Sequence, residues 1–406
     1  MLSPRIESLH IENFRVLQQF SMDKLLPMNV LLGPNGSGKS TVFDALSFIS
    51  ECCSTGLRKA WEQRGRFQQM RSRGGKGPIV LRIKYRENPD QPLLHYCLAI
   101  EENSAGPYVA EEYLEWASLE KDLRFLHFQN GAGYVIPGEI PGAESRREEE
   151  RLDSPETIAV NALGQLAKNP RISALRRFVA GWYFSRLSTE GTRRVAEPGE
   201  QEYLSCEGEN LSNVIQYLKN RHPDSWNEIM KKLCSHVPRL EEIISEPMSD
   251  GRLLLQIKDF PFMQAIPAKF ASDGTLKLLA YLTILYNPKL RPLIGLEEPE
   301  NYLHPRLLPG LAEECRKTSS DTQLFLTTHS PFFINCIRPQ ELWVLYRNER
   351  GYTQARRASD MQGISAFMET GAKLGHLWME GYFDAGDPLV AAGGMKNQAN
   401  RYKNRE

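Results

Sequence analysis

The stretch Met28-Asn29-Val30-Leu31-Leu32-Gly33-Pro34-Asn35-Gly36-Ser37-Gly38-Lys39-Ser40-Thr41 joins an apolar run to a glycine-rich turn and then to a helix start. Residues 28–32 read as a buried strand that enters a loop at Gly33-Pro34. Beyond Lys39, the apolar residues Val42, Phe43, Leu46 and Ile49 recur at helical spacing. Gly33 to Ser40 match GxxxxGK[ST] in full, and strand, loop and helix are the context that motif needs to hold phosphate. Glycines let the backbone wrap closely, so its N–H groups can point at phosphate oxygens. The helix adds the positive end of its dipole. Lys39 is expected to reach the β- and γ-phosphates and the Ser40 hydroxyl to ligate Mg²⁺. Asn35, Gly36, Ser37, Gly38 and Thr41 complete the expected phosphate-binding set.

A second apolar run, Arg291-Pro292-Leu293-Ile294-Gly295-Leu296, ends in the acids Glu297-Glu298-Pro299-Glu300. One carboxylate at a strand end can hold Mg²⁺, directly or through water, and the next can polarise an attacking water. Glu297 is assigned to the metal and Glu298 to the water. Acids at strand ends are common, and the pair gains its meaning from the phosphate loop.

Composition narrows the class. The 406 residues are 41% hydrophobic and 25% charged, with zero formal net charge. Such a balance suits a globular chain with a sizeable core, organised as one large domain with an insertion or as two domains. A global basic footprint for nucleic acid is excluded, so any such contact must be local. No run of ~18 apolar residues is present, so no transmembrane helix is expected. The N-terminus does not read as a signal peptide, and a cytoplasmic location without a membrane partner is expected. The seven cysteines form no CxxC pair, which favours reduced thiols over disulfides or structural zinc.

Along the chain, strands are expected at 5–20, 79–84, 94–100, 252–258, 292–296, 322–328 and 342–346. Helices are expected at 156–180, 209–234, 273–286, 305–317 and 366–380. Residues 103–155, rich in turn residues and charge, read as a surface loop region, with the charge run Glu144 to Arg151 solvated. The polar tail is expected to fray.

With both motifs placed, the chain resembles the ABC-superclass AAA-type ATPases of the RecF/SMC/OLD-like group found in bacterial defence proteins. Ala271-Ser272-Asp273-Gly274-Thr275-Leu276 resembles their signature sequence. Glu297 to Pro305 resembles their Walker B segment and D-loop, and Thr327-Thr328-His329-Ser330-Pro331 their switch-histidine segment. Asn13-Phe14-Arg15 resembles the opening strand, and Leu204 with Gly208-Glu209-Asn210-Leu211 a segment before the lid helices. The resemblance implies an α/β P-loop NTPase of ABC-ATPase head type, with a mixed sheet, flanking helices and a mainly helical lid insertion. It implies ATP and Mg²⁺ as cofactors. It also implies a homodimer, open to higher oligomers, in which Ser272, Asp273 and Gly274 of one copy face the nucleotide of the other. His329 would contact the γ-phosphate or orient the water. Two departures stand out. Glu297 replaces the usual Asp, and the glutamine at a strand end that completes Mg²⁺ coordination in the family has Gln68 and Gln69 as its nearest candidates, of which Gln69 is taken.

The implied organisation is 1–102 and 246–395 as the halves of an ATPase head, 103–245 as an inserted lid, and 396–406 as a flexible tail. The interval between the two motifs exceeds what a head needs, and no heptad repeat or CxxC hook fills it, so long coiled-coil arms are not expected. The chain after His329 is too short for a fused nuclease, which points to a separately encoded effector, a nuclease or toxin. The leading expectation is a regulatory ATPase of a two-component anti-phage system. A RecF-like DNA-repair ATPase and an ATP-bound scaffold with little turnover are the alternatives. The basic stretch holding Arg64, Arg66, Arg71 and Arg73 could grip a nucleic-acid backbone, dock an acidic partner, or simply be solvated.

Overall fold

The computed structural model describes residues 3–117, 123–139, 147–383 and 385. The chain divides into two compact units, Met1–Trp182 with Arg338–Glu406, and Tyr183–Ile337.

The first unit opens with the hairpin β1 (Arg5–Phe14) and β2 (Leu17–Asp23), then β3 (Met28–Leu32), whose five residues are all buried. A strand buried on both faces reads as a continuous apolar run, which is why its sequence is so legible. The helices α1 (Lys39–Ser54), α2 (Leu57–Gln63) and α3 (Arg66–Met70) follow. Six strands come next: β4 (Ile79–Arg86), β5 (Leu94–Asn103), β6 (Gly106–Trp116), β7 (Leu123–Gln129), β8 (Ala132–Val135) and β9 (Glu148–Arg151). With β1 and β2 they make an antiparallel sheet in the order β2-β1-β4-β5-β6-β7-β8-β9. In β4, Ile79, Leu81, Ile83 and Tyr85 are buried and alternate with Arg82, Lys84 and Arg86, the period of two of a one-faced strand. Tyr85 stacks on Phe178 of α5 (Pro170–Ala180), at 5.6 Å between centroids. The apolar side of α1 is buried through Val42, Phe43, Leu46, Phe48 and Ile49, each worth ~1.5–3 kcal/mol relative to exposure. The short α4 (Ala159–Leu163) is tied to α1 by Asn161 Nδ2, which donates to the Cys52 carbonyl at 3.3 Å.

The second unit runs through β10 (Tyr183–Ser185), α6 (Thr189–Thr192), α7 (Leu211–Arg221) and α8 (Pro223–His236). A small antiparallel sheet of β11 (Leu240–Pro247), β12 (Leu253–Asp259) and β13 (Ile266–Pro267) leads to α9 (Asp273–Leu285). Then come β14 (Leu293–Glu297), α10 (Leu308–Thr318), β15 (Gln323–Thr328) and α11 (Pro331–Ile334). The strands β10, β14 and β15 pair in parallel, with Glu297 beside Thr327. The chain returns to the first unit with β16 (Leu342–Arg347), β17 (Thr353–Arg357), α12 (Ile364–Glu369) and α13 (Leu374–Met379). There β16 lies parallel to β3 and antiparallel to β17.

Two expectations differ from this architecture. Residues 106–151 carry the strands β6 to β9 rather than a loop region, so the first part of the insertion is sheet and only its later part is helical. The charges misled because they lie on a solvated face and pair with one another: Arg124 with Glu115 at 3.1 Å, His127 with Glu111 at 3.0 Å. The helix expected over 366–380 is two short ones, divided where Gly371 takes φ 96°. The tail 396–406 and residues 144–146 of the charge run lie outside the described residues.

Candidate active site

The phosphate loop belongs to the first unit. It leaves β3 at Gly33 and enters α1 at Gly38, which is the helix's N-terminal cap residue with φ 105°. Gly36 also has positive φ, 76°. The loop closes on itself through Ser37 N–H, which donates to the Pro34 carbonyl at 3.1 Å. Lys39 is buried, and its ammonium lies along the loop, donating to the carbonyls of Gly33 (2.8 Å) and Pro34 (3.2 Å). The Ser37 hydroxyl is 1% exposed and has no hydrogen-bond partner in the loop. A closely wrapped backbone, an amide-bearing helix start and an orphaned hydroxyl fit a triphosphate. Ser40 and Asn35 are exposed and Thr41 is half-buried.

Two residues that sequence reasoning missed hold this loop from behind. Arg347 Nε donates to the Gly36 carbonyl at 2.7 Å, and Thr353 Oγ1 to the Ser37 carbonyl at 2.8 Å. No local signal marks them, because they lie more than 300 positions downstream.

The acids and the histidine belong to the second unit. Glu297 ends β14, and its Oε2 lies 3.5 Å from Arg186 Nε. Glu298 sits at φ 45°, an uncommon backbone for a non-glycine residue, held by its N–H to the carbonyl and hydroxyl of Thr327, both 3.1 Å. Its carboxylate is fixed at both oxygens: Oε1 is 2.6 Å from His329 Nε2, and Oε2 accepts from Asn301 Nδ2 at 2.7 Å. The parallel register explains the meeting, since Glu298 and His329 each follow the paired ends of β14 and β15. Glu300, unassigned from the sequence, is nearly buried and accepts from the Thr328 hydroxyl (2.5 Å) and the His329 N–H (3.0 Å). Burial raises its carboxyl above the ordinary range, against the pull of those donors.

The signature segment opens α9. Ser272 is its N-cap, accepting from Thr275 N–H at 3.2 Å, so the capping role and an anion-facing hydroxyl coincide in one exposed residue. Asp273 pairs with Arg193 at 2.6 Å, and Arg193 also donates to the Ala271 carbonyl at 2.7 Å. Gly274 has to be glycine, because a Cβ there would stand 2.7 Å from the Tyr302 carbonyl. Lys277, one turn on, is buried, which lowers its pKa despite the nearby charges of Glu298, Glu300 and Asp273.

The basic stretch runs through α2 and α3. Arg64 points inward, its side chain 7% exposed, with Nε 3.0 Å from Asp44 and its terminal nitrogens on Glu51 at 2.5 and 2.8 Å. Arg71 pairs with Glu101. Their charges are spent on α1 and β5, not offered to a nucleic acid. Arg66 and Arg73 remain exposed, with the Arg66 guanidinium over the Trp61 ring at 5.3 Å. Gln69 lies exposed on α3 rather than at a strand end, so it departs from the position its assignment assumed.

Among the described residues no helix is long and apolar enough to cross a membrane. Ser40 and Glu297 each carry a hard oxygen donor, the ligand type that Mg²⁺ takes.

Comparison with known proteins bears on the family and the fold. A family model described as "AAA domain, putative AbiEii toxin, Type IV TA system" matches residues 150–335. The chain is 19% identical over 405 residues to the retron Ec83 probable ATPase of Escherichia coli, covering 85% of this chain and 72% of that one. It is 29% identical over 146 residues to the DNA double-strand break repair Rad50 ATPase of Pyrococcus abyssi, which covers 34% of this chain but only 16% of that protein. Among solved structures, the Smc head domain with an extended coiled coil, crystallised with the C-terminal domain of ScpA derived from Pyrococcus furiosus, superposes with a TM-score of 0.50. That match has 13% identity and covers 91% of this chain and 100% of the other, a likeness of fold. A model described as "AAA ATPase domain" matches residues 5–223, more than half of the chain, which therefore belongs to the AAA ATPase domain family.

Proposed function

We propose that this protein hydrolyses ATP to ADP and phosphate as a magnesium-dependent, homodimeric switch. The amides around Gly36 to Thr41 and the Lys39 ammonium hold the β- and γ-phosphates, and Ser40 and Glu297 hold Mg²⁺, which screens phosphate charge. Glu298 takes the proton from the attacking water. His329 and Asn301 hold its carboxylate in place, so base and orienting groups arrive already assembled. Ser272 and the Gly274 amide of the second copy complete the contacts to the γ-phosphate. The observation that carries this reading is the 2.6 Å contact of Glu298 with His329, with Asn301 fixing the other carboxylate oxygen.

The likeness to the retron ATPase and to the AbiEii-type family supports a cytoplasmic regulatory subunit of a two-component bacterial anti-phage system. Its effector, a nuclease or toxin, is then a separate polypeptide. The partial match to Rad50 favours a DNA-repair ATPase as the second reading, weakened because Arg64 and Arg71 are paired internally.

Complementation tests the composite site. Lys39→Ala and Ser272→Arg variants are each inactive alone under this scheme. Mixed in equal amounts they regain about a quarter of wild-type turnover, because half of randomly assorted C₂ dimers carry one intact site. No recovery, with dimers present in sedimentation, refutes the shared cage.

A further inference from the structure

The hairpin formed by β16 and β17 touches the phosphate loop at four points. The Leu345 carbonyl and the Thr353 hydroxyl occupy the space that a Cβ on Gly33 or on Gly38 would need. Arg347 Nε and Thr353 Oγ1 donate to two successive loop carbonyls, those of Gly36 and Ser37, at 2.7 and 2.8 Å. Both donors are themselves fixed. Thr353 is fully buried, and its N–H donates to the Val16 carbonyl at 2.8 Å. Arg347 also donates to the Gly351 carbonyl at 2.9 Å, within a turn where Asn348 Oδ1 accepts from the N–H groups of Arg350 and Tyr352, both at 3.0 Å.

A glycine-rich loop can turn its peptide planes over at low cost. Each such flip would present a carbonyl oxygen where an anion needs an N–H. In a trans peptide the carbonyl and the following N–H point in opposite directions. Tying the Ser37 carbonyl to the hairpin therefore turns the Gly38 N–H away from it. Tying the Gly36 carbonyl does the same for the Ser37 N–H, which closes onto Pro34.

We propose that Thr353 and Arg347 are positioning residues of the nucleotide site: Thr353 locks the Ser37–Gly38 peptide plane with its N–H turned to the phosphates, and Arg347 locks the Gly36–Ser37 plane that closes the loop onto Pro34. The ordering that ATP would otherwise have to impose is built in, so the hairpin raises affinity for the phosphates without touching them. The inference rests on reading this loop as the ATP site.

The test is a Mg-ATP titration of the full chain by calorimetry, with steady-state turnover alongside, on wild type and on Lys39→Ala, Thr353→Val, Thr353→Ser and Arg347→Ala. Thr353→Val keeps the branched volume and loses the hydroxyl, and is expected to weaken Mg-ATP binding ~10-fold. Thr353→Ser keeps the hydroxyl and should bind as wild type, a rescue that a purely packing role would not give. Arg347→Ala, at an exposed position that the fold does not need, should weaken binding ~3-fold. In both weakened variants KM rises while kcat stays within about twofold, since no group acting on the transition state alone is lost. Wild-type affinity in Thr353→Val, or equal weakening in Thr353→Ser, overturns the inference. If Thr353→Val does not fold, unchanged affinity in Arg347→Ala overturns it by itself. Should wild type bind no Mg-ATP, the ATPase reading has failed and takes the inference with it. If wild type binds, Lys39→Ala does not, and both hairpin variants match wild type, only the hairpin's role is lost.

Discussion

Replacing Glu298 by Gln isolates the proton-accepting step. The side chain keeps its length and one carbonyl oxygen, so Asn301 Nδ2, now 2.7 Å away, retains an acceptor. What goes is the basic oxygen beside His329. A positioned general base contributes ~10²–10⁴-fold, and the contacts at both oxygens mark Glu298 as positioned, so kcat should fall ~10³-fold, about 4 kcal/mol of barrier. Stability should barely change. Glu298 and His329 are 30% and 34% exposed, and an ion pair so screened is worth at most ~1 kcal/mol. Mg-ATP affinity should stay within about threefold, because the phosphates are assigned to the loop amides and Lys39. Phosphate release measured at saturating ATP gives kcat, and light scattering with and without ATP reports the dimer. The expected product is a slow enzyme that remains an ATP-bound dimer. A variant retaining more than about a tenth of wild-type kcat would refute the assignment, since no general base contributes so little.

Two further outcomes follow from groups away from the chemistry. Arg64→Ala takes the guanidinium from Glu51 and leaves Asp44 with Arg15 at 3.0 Å, so it should cost ~1–3 kcal/mol in urea unfolding, a buried pair's loss discounted for the partial exposure of Glu51 and the Arg15 contact that stays, with no change in salt-dependent DNA binding. A stability-neutral Arg64→Ala that loses DNA binding would restore the basic-patch reading. Glu112 is fully buried, accepting from the Ala159 and Val160 amides and from the Tyr96 hydroxyl, and burial pushes its carboxyl up to about 7 from an ordinary 4.5. The fold therefore favours its protonated form. Its contribution is fully present below pH ~4.5 and is lost as pH rises through about 7, so stability from this group falls by roughly 1 kcal/mol between pH 6 and 8. Urea midpoints across that range, compared with Glu112→Gln, read the difference, and identical slopes in the two proteins would contradict it.

The parts of the site that were legible in the sequence are those where chemistry and burial are local. Residues 28–41 announce themselves because a doubly buried strand is uniformly apolar and the loop after it must be glycine-rich. Glu297 and Glu298 stand out against an apolar strand for the same reason. The order of motifs singled out Glu298 and His329 separately, while their contact comes from the parallel register of β14 and β15, which no local pattern shows. What stayed hidden is non-local or two-faced. The charges of β6 and β7 look like loop composition until Arg124, Glu115, His127 and Glu111 are seen to satisfy one another across strands. Arg64 and Arg71 look like offered charges until Asp44, Glu51 and Glu101 are brought to them by α1 and β5. Thr353 carries no local mark of any kind.

The hydroxyl that fastens the loop's backbone comes from a residue 316 positions later in the chain, and β3 pairs with β16 from the same late segment. During synthesis, then, the emerging polypeptide presents the phosphate motif long before the hairpin that finishes it has left the ribosome. Contacts of such sequence separation form only after a large loop has closed, so they come late in folding. On the reading proposed above, competence to take nucleotide waits for that hairpin, and a translation product cut short ahead of β16 carries the motif without its support.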